Sequence, residues 1–226
     1  MYLTRLTLNL NSQSVRRDLA DCWRMHRTIM AAFPLVEGDG RLAHKVLHRV
    51  EPAKNGARRL HLLVQSESQP DWKGLPEHYL AEGEAPEVKP IGEQIASVTD
   101  GMVLNFRLRA NPTRKVDTKS GPDGVRRNGR RKKVQGEEEQ LNWLLRKASV
   151  AGFSLIDVRR NDEGGEFGSA GDASSARRNE LFFGSVLFEG TLRVTDSKLF
   201  LSALRDGVGS GKAFGFGLLS VAPARP

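Results

Sequence analysis

Two stretches of this sequence carry residues that could do chemistry: the helix-patterned "RRDLADCWRMHRTIM" at 16 to 30, with His26, and the glycine-rich "GVGSGKAFGFG" at 207 to 217. Imidazole, with an unperturbed pKa of about 6.5, can take or give a proton at neutral pH. Read as one helix, residues 15 to 32 put Leu19, Cys22, Ile29 and Phe33 three and four apart, with His26 in that row. Two readings stay open: an acid–base group, or a hydrogen-bonded tenant of an apolar face. The histidines at 26, 44, 48, 61 and 78 form no H-E-x-x-H pattern, and no tight carboxylate group suggests magnesium. Cys22 is the only cysteine, which excludes an internal disulfide and a cysteine-based zinc cluster. Catalysis here is expected to need neither metal nor cofactor.

The glycines at 207, 209, 211, 215 and 217 let main-chain N–H groups approach an anion, with Lys212 adding a point charge. A Walker loop fails, because Asp206 stands at its first glycine and Ala213 at its hydroxyl residue. A dinucleotide fingerprint fails too, because the segment follows a predicted helix. "KAFGFG" partly matches the strand motif of RNA-recognition modules, with Phe214 and Phe216 on one face for stacking. The alternative is a ligand-free glycine-rich connection.

Formal charge is +8, and residues 114 to 133 hold nine Lys or Arg against Asp117 and Asp123, so that window alone carries +7. Such density calls for a polyanion, and nucleic-acid phosphates gain by releasing counterions. A solvated loop or localisation tail is the other reading. Placed between patterned segments, the window is expected to be a loop that orders on a partner.

At 226 residues the chain suffices for two domains of about 110 each. Hydrophobic content of 38% and charged content of 27% suit a globular protein, and no apolar run approaches the roughly 18 residues of a membrane span. The start, "MYLTRLTLNL", reads as a strand rather than a secretion signal, so a cytoplasmic location and no membrane partner are expected. The first half predicts a strand at 2 to 8, the helix at 15 to 32, and strands at 44 to 51 and 59 to 66 joined by an Asn-Gly turn. Residues 67 to 100 predict only a short helix or strand. The second half predicts a strand at 101 to 112, a helix from Glu137, a strand at 154 to 160, a Gly-, Ser- and Asp-rich excursion, and a strand at 180 to 196. A helix at 197 to 207, capped by Asp196 or Ser197, and a strand at 214 to 221 close it. Two successive β-α-β-β-α-β patterns point to an α+β fold of two tandem ferredoxin-like (RRM-like) domains, 1 to 95 and 96 to 226.

With "RRDLADCWRMHRT", "LNFRLRANPTRK", "SVLFEGTLRV" and "GVGSGKAFGFGLLSVAP" in this order, the sequence resembles the CasE family, RAMP-superfamily endoribonucleases that process CRISPR precursor RNA and stay in the Cascade complex. The resemblance implies metal-independent cleavage at the base of a repeat hairpin. The adjacent 2′-hydroxyl attacks, leaving a 2′,3′-cyclic phosphate, and His26 is the catalytic residue. Trp23 departs from the pattern, since a family member carries tyrosine there; indole donates a hydrogen bond but accepts no proton. Arg27 or Lys212 is the candidate to stabilise the phosphorane. RNA-binding candidates are Arg114, Lys115, Arg126, Arg127, Arg130, Arg131, Lys132 and Lys133 in the basic loop, Arg159, Arg160, Arg177 and Arg178 around the excursion, and the five glycines. The alternative function is a non-catalytic subunit that holds the RNA hairpin, with Trp23 the trace of lost activity.

Overall fold

The computed structural model describes residues 1–52, 59–116, 130–170 and 179–224. Alternation in the first residues builds the first sheet: β1 (Tyr2–Leu8) turns Thr4, Leu6 and Leu8 into the core, while Arg5 pairs outward with Glu87 at 2.6 Å. β1 lies between β3 (Leu60–Ser66) and β4 (Glu87–Pro90), and β2 (Leu47–Pro52) completes the antiparallel order β2-β3-β1-β4. The helix expected over 15 to 32 is two: α1 (Gln13–Ala20) and α2 (Cys22–Met30). Asp21 between them is extended (φ −145°, ψ 105°), and its carboxylate accepts from Trp23 N at 3.0 Å, capping α2. The break rotates the second helix, so that Cys22, Met25 and Ile29 form its buried row. Residues 44 to 46 are not strand: α3 (Gly40–His44) ends in left-handed Lys45, and β2 begins only at Leu47.

After β3 a 3-10 turn at Trp72–Gly74 replaces the second helix of a full β-α-β-β-α-β unit, and α4 (Gly92–Ala96) follows β4 instead. The first pattern is thus incomplete. The second is whole: β5 (Val103–Ala110), α5 (Glu137–Val150), β8 (Phe153–Ala170), β9 (Asn179–Val194), α6 (Ser197–Asp206) and β10 (Leu219–Pro223) form the antiparallel sheet β10-β5-β9-β8. The fold is α+β with two tandem ferredoxin-like sheets. Asp196 caps α6 by accepting from Leu199 N. The expected excursion after residue 160 is strand, β8 continuing to Ala170 through two register shifts. The arms of the basic loop pair as β6 (Thr113–Val116) and β7 (Arg130–Lys133). The closing strand starts at Leu219, not 214, because Lys212–Phe214 is a 3-10 turn. Among the described residues no helix is long and apolar enough to cross a membrane.

Each sheet has its own core: Leu6, Leu8, Met25, Ile29, Leu62 and Val64 in the first, Leu108, Leu144, Phe153, Phe188 and Phe200 in the second. Polar groups suture the two. Arg49 on β2, 2% exposed, donates to the carbonyls of Leu218 (2.8 Å) and Arg107 (3.2 Å), to Ser220 Oγ and to Glu51. Glu51 also takes Arg107 at 3.2 Å, and Gln65 Nε2 donates to the Leu204 carbonyl at 2.7 Å. Arg49→Ala, which takes from Glu51 one of its two arginines and a buried donor from the Leu218 and Arg107 carbonyls, is expected to cost about 3–5 kcal/mol of stability in urea denaturation. Arg5→Ala, at an exposed pair, is expected to cost about 0.2–1 kcal/mol.

Candidate nucleic-acid interface

Because Asp21 restarts the helix, His26 stands beside the buried row rather than in it, and is half-buried. It faces the glycine-rich segment. Its ring centroid lies 6.1 Å from Phe214 and 5.9 Å from Trp23, which is itself 5.6 Å from Phe214. Phe214 ends the 3-10 turn between Gly211 and Gly215, both left-handed (φ 77° and 88°). A Cβ on Gly211 would meet the Phe216 ring at 3.0 Å, so only glycine lets this turn close over that ring. Phe214 is half-buried against His26, while Phe216 is fully buried with the Arg109 guanidinium 5.4 Å from its ring, and the Phe183 ring meets both, with centroids 4.8 and 5.9 Å away. The expectation that both lie on one strand face for stacking fails, since the segment is not a strand.

Burial lowers the pKa of His26, Arg41 lowers it further, and Asp39 only partly opposes them, so the imidazole is neutral at pH 7 and able to accept a proton. Beneath the loop, His48 is 3% exposed, and burial, with His26 and Arg109 adding to it, pushes it down to about 3. His44 is structural, bonded to Ser68 Oγ and the Pro34 carbonyl.

Beside this cluster opens a cleft of about 570 Å³ lined by Arg41, Arg131, Lys133 and Lys212, by Phe182, Phe183 and Phe214, and by Asn111, Thr113, Ser210, Gly209 and Gly211 among others, with no carboxylate among the described lining residues. Lys212 is half-buried there, and burial and Arg41 lower its pKa against the pull of Asp206. Four cations line this one space, although Lys133 also donates to the Gly164 carbonyl at 3.2 Å and stands 4.0 Å from Asp162, and positive charge concentrated in this way attracts phosphate.

Trp23, His26 and Lys212 are thus gathered around Phe214. Arg27 is not: one position on, about 100° round the helix, it lines a separate groove with Arg17 and Arg24. Arg41 occupies the place expected of it. The sequence offered only a weak hint of that, Asp39 capping α3 by accepting from Leu42 N. In the β6–β7 pair, Thr113, Lys115, Arg131 and Lys133 share one face and Arg114 and Lys132 the other; Arg131 and Lys133 line the cleft. Arg126, Arg127, Arg177, Arg178 and the side chain of Arg130 lie outside the described residues. Arg159 is exposed opposite Glu189 on the β8–β9 pair. Arg160 is not free for phosphate, because it is held by Gln140 (2.8 Å), Glu137 and Asp162. Of the glycines, Gly209 and Gly211 line the cleft; Gly207 packs on Leu47, Gly215 on His48, and Gly217 exchanges main-chain bonds with Val208 and Arg109.

The family described as CRISPR associated protein matches residues 1–223. The CRISPR-associated endoribonuclease Cse3 of Thermus thermophilus is 36% identical over 239 residues, spanning 99% of this chain and 100% of that one. The CRISPR system Cascade subunit CasE of Escherichia coli is 30% identical over 225 residues, with 99% and 100% covered. A structure of CRISPR endoribonuclease Cse3 bound to 19 nt RNA superposes with TM-score 0.79 at 34% identity, covering 99% of this chain and 100% of that chain.

Two titrations follow. His48 binds no proton in the fold until about pH 3, whereas the unfolded chain binds one from about pH 6.5. Its contribution is therefore fully present above about pH 6.5 and falls by up to about 1.4 kcal/mol per pH unit below it. Urea melts of wild type and His48→Gln should diverge in slope over that acid window. In Arg41→Gln the removal of a neighbouring cation should raise the pKa of His26, read by NMR titration of its ring protons.

Proposed function

The chain belongs to the family of CRISPR-associated proteins that includes Cse3 and CasE, and on that footing we propose that it is an endoribonuclease that cuts hairpins in CRISPR precursor RNA. The observation that carries this reading is an imidazole, that of His26, set 6.1 Å from the Phe214 ring at the side of a cleft lined by Arg41, Arg131, Lys133 and Lys212. In the proposed reaction the 2′-oxygen bonds to the neighbouring phosphorus as its proton passes to His26. The bond from phosphorus to the 5′-oxygen breaks, and that oxygen takes up a proton to leave as a 5′-hydroxyl. The other product is a 2′,3′-cyclic phosphate. Nothing in this sequence of steps calls for a metal ion. Lys212 and Arg41 would balance charge gathering on the phosphorane.

Trp23 is assigned a wall of the site and one N–H donor, because indole accepts no proton. Arg131 and Lys133, with Lys115 on the same face, would hold the backbone, and the exposed Arg114, Lys132 and Arg159 would extend that contact. The proposal includes two domains divided near residue 95, and residence in a Cascade assembly after cleavage, as the name of the Escherichia coli relative suggests. A second reading, an RNA-holding subunit without cleavage, is favoured by Trp23 alone.

Incubation with the host's repeat RNA in EDTA is expected to yield a 2′,3′-cyclic product. His26→Ala is expected to lose about 10²- to 10⁴-fold in single-turnover rate while keeping its affinity in filter binding. Products from that variant at the wild-type rate would reject the assignment, and intact RNA with tight binding by wild type would establish the second reading.

A further inference from the structure

The basic cleft has an aromatic wall that the proposed chemistry does not use. Phe167 on β8 and Phe182 on β9 are direct cross-strand partners with ring centroids 5.1 Å apart, yet they remain 62% and 55% exposed. Two phenylalanines joined for burial alone would be covered, and these are not. The backbone beneath is cleared for them. A Cβ on Gly165 would stand 2.4 Å from the Phe182 ring and 2.8 Å from the Phe183 carbonyl oxygen, so this close approach requires glycine, while the Lys133 side chain lies over Gly184. Lys133 Nζ sits 6.0 Å from the Phe182 ring centroid, and Arg131 lines the same cleft. An exposed π-face with cations beside it is the constellation that stacks a base and holds its phosphate. A paired base in a stem offers no free face, whereas an unpaired one does.

We propose that Phe182, backed by Phe167, is a stacking subsite for one unpaired nucleotide flanking the RNA stem, with that nucleotide's phosphate held by Lys133 and Arg131. The subsite opens into the same cleft as Lys212 and Phe214, so it reads the strand next to the reacting phosphate. This rests on the reading of the chain as an RNA-binding nuclease and adds to it a requirement for single-stranded flank.

The test uses the full chain and the host's repeat hairpin with a 2′-deoxy nucleotide at the scissile position, in two forms: with its unpaired flank, and trimmed to the stem-loop. 2-Aminopurine replaces each flanking base in turn. Phe182→Ala is expected to weaken binding of the flanked RNA by about 5- to 100-fold, to leave the trimmed RNA unaffected, and to abolish quenching at one flanking position. Phe182→Tyr is expected to behave as wild type. Phe182→Leu keeps apolar bulk without a π-face and separates stacking from folding, which thermal melts monitor. Equal losses on both RNAs, no loss on either, or quenching that survives in Phe182→Ala and Phe182→Leu would overturn the subsite. Flank-dependent quenching with native RNA that is never cut would sustain the subsite and sink the nuclease reading; cleavage with no Phe182-by-flank dependence would do the reverse.

Discussion

A guanidinium buried between two sheets governs this molecule. Arg49 has 2% of its surface left to water, so its charge and N–H groups must be met by protein. Two carbonyls and a hydroxyl from β5, β10 and the residue preceding β10 meet them, together with Glu51 of its own strand. Burial works to raise the pKa of Glu51, but Arg49 and Arg107 outweigh it and hold the carboxylate ionised. With β2 fixed in this way, Leu47 lies against Gly207 and His48 against Gly215, and the glycine-rich segment is anchored at both ends. Phe214 then projects toward α2, and His26 and Lys212, nearly the whole chain apart, come to share one corner.

Charges are sorted around that corner. Arg109 is engaged by Glu163 and Glu166 at 2.7 and 2.6 Å, Arg107 by Glu51 and Glu189, and Lys45 by Asp206 at 2.8 Å. These pairs brace strands and helix ends. Of the four cations that line the cleft, Lys133 stands 4.0 Å from Asp162 and Lys212 is drawn by Asp206, while no carboxylate is among the cleft's described lining residues. Around His26, burial and Arg41 lower the pKa, and Asp39, which opposes them, also caps α3.

Much of this could be read from residue order, and the failures have physical causes. The four strands of the second sheet in their order, α5 with its three leading glutamates and α6 with its Asp196 cap follow from period and capping, but the run of β8 to Ala170 and the late start of β10 at Leu219 do not. The break at Asp21 could not, because it depends on support from far along the chain: Tyr79 Oη donates to Asp18 at 2.7 Å, and Gly168 packs on Cys22. Arg27 adjoins His26 in sequence, but a helix turns neighbours away from each other, and nothing in the local pattern brings Arg41 to the cleft. Arg49 reads as an ordinary strand cation; its burial depends on Leu218, 169 residues later. The hairpin arms of the basic loop were hidden by their charge, which masks strand alternation. Phe182 and Phe183 were read as strand residues, without a hint that both would line the cleft.

The position of the reacting phosphate is the decisive observable. A crystal structure of the protein with repeat RNA whose attacking 2′-hydroxyl is replaced by hydrogen would show it. That phosphate is expected between His26 on one side and Lys212 with Arg41 on the other. An RNA strand running instead along the Arg17, Arg24 and Arg27 groove, with His26 facing no phosphate, would contradict it.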